Sequence, residues 1–177
     1  MSTVAGATAP WDLWAREFEE IFLTHYDLVH GTAFGVTGRR EDAEDVVQTV
    51  FLRLLRREMP PDVRKKPKAY LYRAAVNESL NIVRYRRRHP TTELEGWTVS
   101  VDQVESIRAE AIHQTLYEAI AQLKPKHAEI LILRYVHEYS DTQIAELLGA
   151  SRGTIAVTLY RTRRHLKRIL RTTLGGV

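Results

Sequence analysis

The run from Tyr139 to Arg168 constrains this chain more than any other, because its punctuation fits two short crossing helices. Ser140 followed three residues later by Gln143 is a capping box, which opens a helix. Ile144, Leu147 and Leu148 give that helix one apolar face, and Ala145 is small enough to let a second helix cross closely. Gly149 supplies the left-handed residue that ends it. Ser151 caps the second helix, whose apolar positions are Ile155, Leu159, Leu166 and Ile169 or Leu170. Two short helices joined by a Gly-containing turn make a helix-turn-helix. Arg152, Arg161, Arg163, Arg164, Lys167, Arg168 and Arg171 put +7 on residues 152–171, with no acid among them. A structural hairpin usually mixes its surface charges, and this one does not. The second helix is therefore expected to lie in the major groove of DNA.

The formal net charge of +4 implies little, but its distribution implies more. Residues 12–45 carry nine acids and three bases, and residues 64–88 carry nine bases and one acid. Residues 93–120 return to six acids and one base. Two basic blocks separated by acidic ones point to two nucleic-acid contacts and to other surfaces kept for something else. With no cysteine there is no disulfide framework, thiolate zinc site or thiol sensor. The first ten residues lack the pattern of a signal peptide, and no apolar run reaches membrane-spanning length. The chain is expected to be soluble and cytoplasmic, with no membrane insertion.

Trp14, Phe18, Ile21, Phe22, His25, Val29 and Ala33 recur at helical spacing, so residues 11–36 form a helix with a candidate break at Gly31 or Gly35. Gly38 ends it, and the aromatics are assigned to the core. In the next helix Ala43, Val46, Val47, Val50, Phe51, Leu54 and Leu55 make an unbroken buried stripe. Glu41, Asp42, Glu44 and Asp45 occupy its first turn, where the helix dipole favours anions. Asp45, Gln48, Thr49, Leu52 and Arg56 share a second line away from the core, which suits a docking face as well as a plain solvated one.

Pro60 and Pro61 break the chain, and Arg64 to Lys68 reads as a basic loop. From Pro67 to Arg87 a helix carries two stripes. Ala69, Tyr72, Val76, Leu80 and Val83 are spaced for burial, while Tyr70, Arg73, Asn77, Asn81, Arg84 and Arg88 lie together on another line. Aromatic, amide and guanidinium groups on one stripe are what a surface needs to stack bases and hold phosphates. Residues 89–100 read as a linker. Ser100 and Gln103 then cap a helix with Val104, Ile107, Ala111, Leu116, Ala119, Ile120 and Leu123 inward, and Pro125 starts another with Ala128, Leu131, Leu133 and Val136 packed. The expected fold is all-α: one helical domain over 11–88, a linker over 89–100 and a second domain over 101–172.

These segments resemble the sigma-70 superfamily of RNA polymerase sigma factors, in its small two-domain extracytoplasmic-function (ECF) group. Asp42 through Phe51 is similar to the E-D-L-V-Q-E-T-F run of sigma region two, and Ala69 through Asn77 to the W-L-x-R-I-A-x-N run that follows it. Leu123 through Arg168 resembles sigma region four, including L-x-P-x-x-x-x-x-L-x-L-R-Y and the G-T-I core of the recognition helix. The resemblance implies that Asp45, Gln48, Thr49 and Leu52 dock on the β′ clamp helices of core RNA polymerase. It implies that Tyr70, Arg73, Asn77, Arg84, Arg86, Arg87 and Arg88 contact the −10 element and help open it. The last helix would read the −35 element while its domain meets the β flap, and the linker would thread toward the active-site cleft. The family is often held inactive by an anti-sigma partner. No cofactor, metal or catalytic residue is implied.

Three departures matter. Tyr70 replaces the usual Trp, keeping a smaller stacking plane; Thr49 stands where the family often has Glu; and Ala156-Val157-Thr158 replaces a frequent K-S-R, removing two cations. With Ser151 as cap, Arg152, Ala156, Val157, Tyr160 and Arg161 can reach base edges, and Arg161 is best placed for a guanine. Arg152, Thr154, Thr158, Arg163 and Arg164 are better suited to phosphates. A stand-alone helix-turn-helix regulator predicts a strand-borne phosphoacceptor or a ligand pocket, and it gives the 64–88 block no purpose. An enzyme acting on nucleic acid would need Glu41, Asp42, Glu44 and Asp45 to converge on Mg²⁺, yet neighbours on one helical turn diverge.

Overall fold

Apolar residues at helical spacing fold the first segment into one helix, α1 (Pro10–Thr37). The computed structural model describes residues 10–56, 61–89 and 101–174, with side chains at 14–56, 63–89 and 111–173, and every regular element among them is helical. α1 runs straight through Gly31 and Gly35, where a break was expected. Val29, Ala33 and Val36 are fully buried around those glycines, and tertiary packing outweighs the roughly 1 kcal/mol each costs in a helix. Gly38 ends α1 at φ +69°.

α2 (Arg40–Arg56) buries Ala43, Val46, Val47, Val50, Phe51 and Leu54, whereas Leu55 at the edge of that stripe is exposed. The expected basic loop begins instead as a single helical turn, α3 (Pro61–Lys65), pinned by the fully buried Val63. α4 (Pro67–Arg88) starts on its proline. Among the described side chains of α5 (Val101–Ala121), those from the Leu116 turn onward pack on the core, and Ala111 is exposed rather than inward. The linker beyond His89, and the side chains of Ser100, Gln103, Val104 and Ile107, lie outside the described residues.

α6 (Pro125–Tyr135) is buried nearly all round, with Ala128, Ile130, Leu131, Ile132 and Leu133 in the core, and is the pivot of the C-terminal helices. α7 (Asp141–Leu148) opens on the capping box, Gln143 N–H to Ser140 Oγ at 3.3 Å and Ser140 N–H to Gln143 Oε1 at 2.9 Å. It closes on left-handed Gly149. In α8 (Arg152–Leu174) the Thr154 N–H donates to Ser151 Oγ at 3.1 Å, and Ile155 and Leu159 are buried against α6 and α7.

α4 belongs to two cores. Leu71 and Ala75 join Val46, Val50 and Phe51 of the N-terminal helices. Tyr72, Val76, Leu80 and Val83, one stripe further round, pack with Leu123, Ile130, Leu133 and Ile155 of the C-terminal helices. The stripe expected to be buried is buried, but under the second half of the chain.

Candidate nucleic-acid and partner interfaces

On α2, the buried valine stripe turns Asp45 and Gln48 outward; Thr49 is half-buried and Leu52 is 46% exposed. Gln48 and Leu52 edge an apolar groove of about 560 Å³ whose far wall is Phe18, Phe22 and Tyr26 of α1. Phe22 meets Phe51 edge-to-face at 4.8 Å, closing its floor. The sequence reading placed Phe18 and Phe22 in the core, and both do pack against it while also facing this groove. Their i, i+4 line running parallel to Val29 and Ala33, rather than on it, was the available signal.

On α4, Arg73 and Asn77 are exposed and Tyr70 is half-buried against the N-terminal core. These three line a cleft of about 760 Å³ closed on its other side by Leu147, Leu148 and Gly149. Arg73 donates to the Leu148 carbonyl at 3.2 Å. Arg87 and Arg88 are exposed at the end of the helix.

Arg84 and Arg86 depart from the expected DNA face. Arg84 donates to the Ala121 carbonyl at 2.9 Å and the Leu123 carbonyl at 3.2 Å, satisfying acceptors that the end of α5 leaves open. Arg86 donates to the Thr37 carbonyl at 2.9 Å and pairs with Asp42 at 2.8 Å, with both side chains about four-fifths buried. The Arg86–Asp42 contact is an ion pair without hydrogen-bond alignment. Burial pushes the Asp42 carboxyl above its ordinary range, and Arg86 opposes that shift. The rest of the acid cluster disperses, Glu44 to Arg40 at 3.0 Å and Glu41 to Arg39 at 3.6 Å. Among the described residues no three acids or histidines gather where they would hold a metal ion. No described helix is long and apolar enough to cross a membrane.

All seven cations of α8 are exposed, while Ile155 and Leu159 are buried. Arg152, Thr154, Ala156, Val157, Tyr160 and Arg161 are exposed, and Thr158 is half-buried. The hydroxyls of Thr154 and Thr158 are engaged within the helix start, with Ser151 Oγ at 2.8 Å and the Thr154 carbonyl at 2.7 Å. Arg164 lies over the Tyr160 ring at 5.9 Å. Arg163 turns the other way, over Tyr135 at 5.6 Å, and lines an apolar groove with Phe34 and Leu166. Arg161 and Arg164 instead share a basic trough with His165, Lys167 and Arg168, none of which had been assigned to the DNA face.

Residues 21–89 match the family Sigma-70 region 2, and residues 113–166 match Sigma-70, region 4. The chain is 27% identical to the ECF RNA polymerase sigma factor SigW of Bacillus subtilis, across 87% of this chain and 89% of that protein. It is 31% identical to the RNA polymerase sigma-E factor of Streptomyces antibioticus, across 88% and 86%. The solved structure of CnrH in complex with the cytosolic domain of CnrY shares the fold, at a TM-score of 0.50 and 20% identity over 89% of this chain and 90% of that one. The chain belongs to the sigma-70 family of RNA polymerase sigma factors, in its extracytoplasmic-function group.

Proposed function

We propose that this chain binds core RNA polymerase and directs promoter-specific initiation in the cytoplasm, as an initiation factor with no catalytic group of its own. Its working units are residues 11–88 and 101–172. Asp45, Gln48, Thr49 and Leu52, with the aromatic wall of α1, form the face for the β′ clamp helices. Tyr70, Arg73 and Asn77 stack and hydrogen-bond the −10 strand, with Arg87 and Arg88 on its phosphates. α8 reads the −35 element through Arg161, with Ala156 and Val157 offering methyl contacts to thymine. Arg152, Arg164 and the trough beside them hold phosphates, and Arg163 tunes the surface that meets the β flap. An anti-sigma partner is the natural antagonist of such a surface.

The observation that carries this reading is α8: seven exposed cations and no acid, set opposite a two-residue apolar anchor. A surface helix with a merely structural task balances its charge. Run-off transcription with core enzyme on a genomic fragment library tests it: discrete transcripts that depend on the chain are expected. Tight, sequence-specific duplex binding by the chain alone, without transcription, would point to a stand-alone regulator instead. Asp45→Arg is expected to lose core binding at an unchanged thermal midpoint, and normal binding by that variant removes α2 from the docking face.

A further inference from the structure

We infer that Tyr85 is a second base-stacking residue of the −10 face, and that this face continues past Asn81 through Tyr85 and His89 rather than through Arg84. The inference rests on the assignment of α4 to the −10 strand. Arg73, Asn77, Asn81 and Tyr85 form an i, i+4 row on α4, closed by His89 at its cap, and all five are exposed. Such a row is a ridge of the helix surface, rising about 6 Å at each step. Arg84 leaves that surface for the Ala121 and Leu123 carbonyls, at 2.9 and 3.2 Å. Arg86 leaves it for the Thr37 carbonyl and Asp42. Between the two departing arginines stands Tyr85, 61% exposed.

A single exposed tyrosine on a helix is ordinary, and it is the neighbours of this one that make it a platform. The His89 ring backs Tyr85 on one side, with centroids 4.6 Å apart, while the exposure of Tyr85 leaves its other side to solvent. Arg87 and Arg88 are exposed within one turn, and Arg88 is steadied by its Nε–H to the Arg84 carbonyl at 3.3 Å. Glu78, the one acid in α4, is drawn aside by Arg53 at 2.7 Å, so no free carboxylate of the helix repels a strand laid along the row. Amides that address base edges, a ring with an open face and guanidinium groups for phosphates together suit an unpaired strand. Asn77 and Tyr85 stand two steps apart, about 12 Å, which spans roughly three stacked nucleotides. Tyr85 therefore serves a base roughly three positions from the one Asn77 addresses, on the side of Asn77 away from Tyr70.

The test uses holoenzyme assembled from core polymerase and the full chain. It is titrated with labelled single strands covering the −10 element of a promoter found by run-off selection, one strand intact and each of the others lacking a single base. Removing the base that Tyr85 holds is expected to weaken wild-type binding about 5- to 150-fold, the range for one stacked base. Tyr85→Ala is expected to lose the same factor on the intact strand and nothing further on that one abasic strand. Tyr85→Phe, which keeps the ring, is expected to bind as wild type, and Tyr85→Leu, which keeps bulk without a ring, to behave as Tyr85→Ala. The base so identified is expected roughly three nucleotides from the one that Asn77→Ala identifies in the same way. Wild-type binding by Tyr85→Ala or Tyr85→Leu, equal further losses on every abasic strand, or one base identified by both Tyr85→Ala and Asn77→Ala would overturn the inference. Wild-type holoenzyme that binds none of these strands more tightly than core polymerase alone would instead sink the assignment of α4 beneath it.

Discussion

α4 and α8 look alike as sequences, both amphipathic and both crowded with arginine, yet they use that arginine in opposite ways. In α4, Arg73, Arg84 and Arg86 donate to carbonyls at the ends of other helices, and Arg86 pairs with an aspartate about four-fifths buried. In α8, among the described residues, no cation is paired with an acid; Arg163 and Arg164 rest on tyrosine rings and the rest face solvent. A positive charge count thus measures how much cation a helix carries, not how much is free to meet a phosphate. Carbonyls left open at helix C-termini engage guanidinium groups that would otherwise be free for phosphates.

The sharpest way to break this comparison is Arg86→Ala, which leaves Asp42 buried without its counter-charge. A loss of about 3 kcal/mol in unfolding free energy is expected, the low end for breaking a buried pair, and urea titration reads it. An Arg86→Ala chain of unchanged stability would return that residue to the DNA face. Next, Arg161→Ala is expected to cost about 1–3 kcal/mol of discrimination at one −35 position, measured by selecting a promoter library with the mutant holoenzyme. Equal loss at every position would make Arg161 a phosphate contact. Arg164→Ala should weaken binding evenly and reduce the salt slope by about one unit, whereas Arg84→Ala should lower the thermal midpoint and leave that slope alone. Matching slope changes from both would erase the distinction between the helices.

The smallest expected effect is on pH. Burial, then the nearby Lys68, holds the His137 imidazole below its ordinary 6.5, with Thr32, Tyr72 and Tyr139 as its other neighbours. The unfolded chain therefore takes up this proton more readily than the folded one. His137 supports the fold fully above 6.5, and that support is lost as pH falls through 6.5 toward the folded value. A thermal midpoint that drops between about pH 8 and 5, and drops less in His137→Gln, is the expected result. His25 and His127 are lowered in the same way and leave a residue of the effect in that variant.

What could be read from the residues alone follows the range of the forces involved. The capping box at Ser140, the left-handed Gly149 and the valine stripe of α2 are local and were legible, since each is decided within one or two turns. The stripe of Tyr72, Val76, Leu80 and Val83 was legible as buried, but periodicity says that a face is covered and not by what. The second wall of the α2 groove was missed because aromatics at helical spacing default to the core, whereas Phe18 and Phe22 pack on the core with one side and line the groove with the other. Val63 gave no periodic signal, being one apolar residue among prolines and lysines, so α3 read as loop. The partners of Arg84 and Arg86 lie 35 or more residues away and leave no trace in their neighbours.

The glycine at position 35 has a consequence for inheritance. A Cβ there would come within 2.7 Å of the Val136 side chain, whereas α1 itself accepts alanine more readily than glycine. Chance substitution at that codon is therefore expected to strain the contact between α1 and the residue after α6, and not α1 itself.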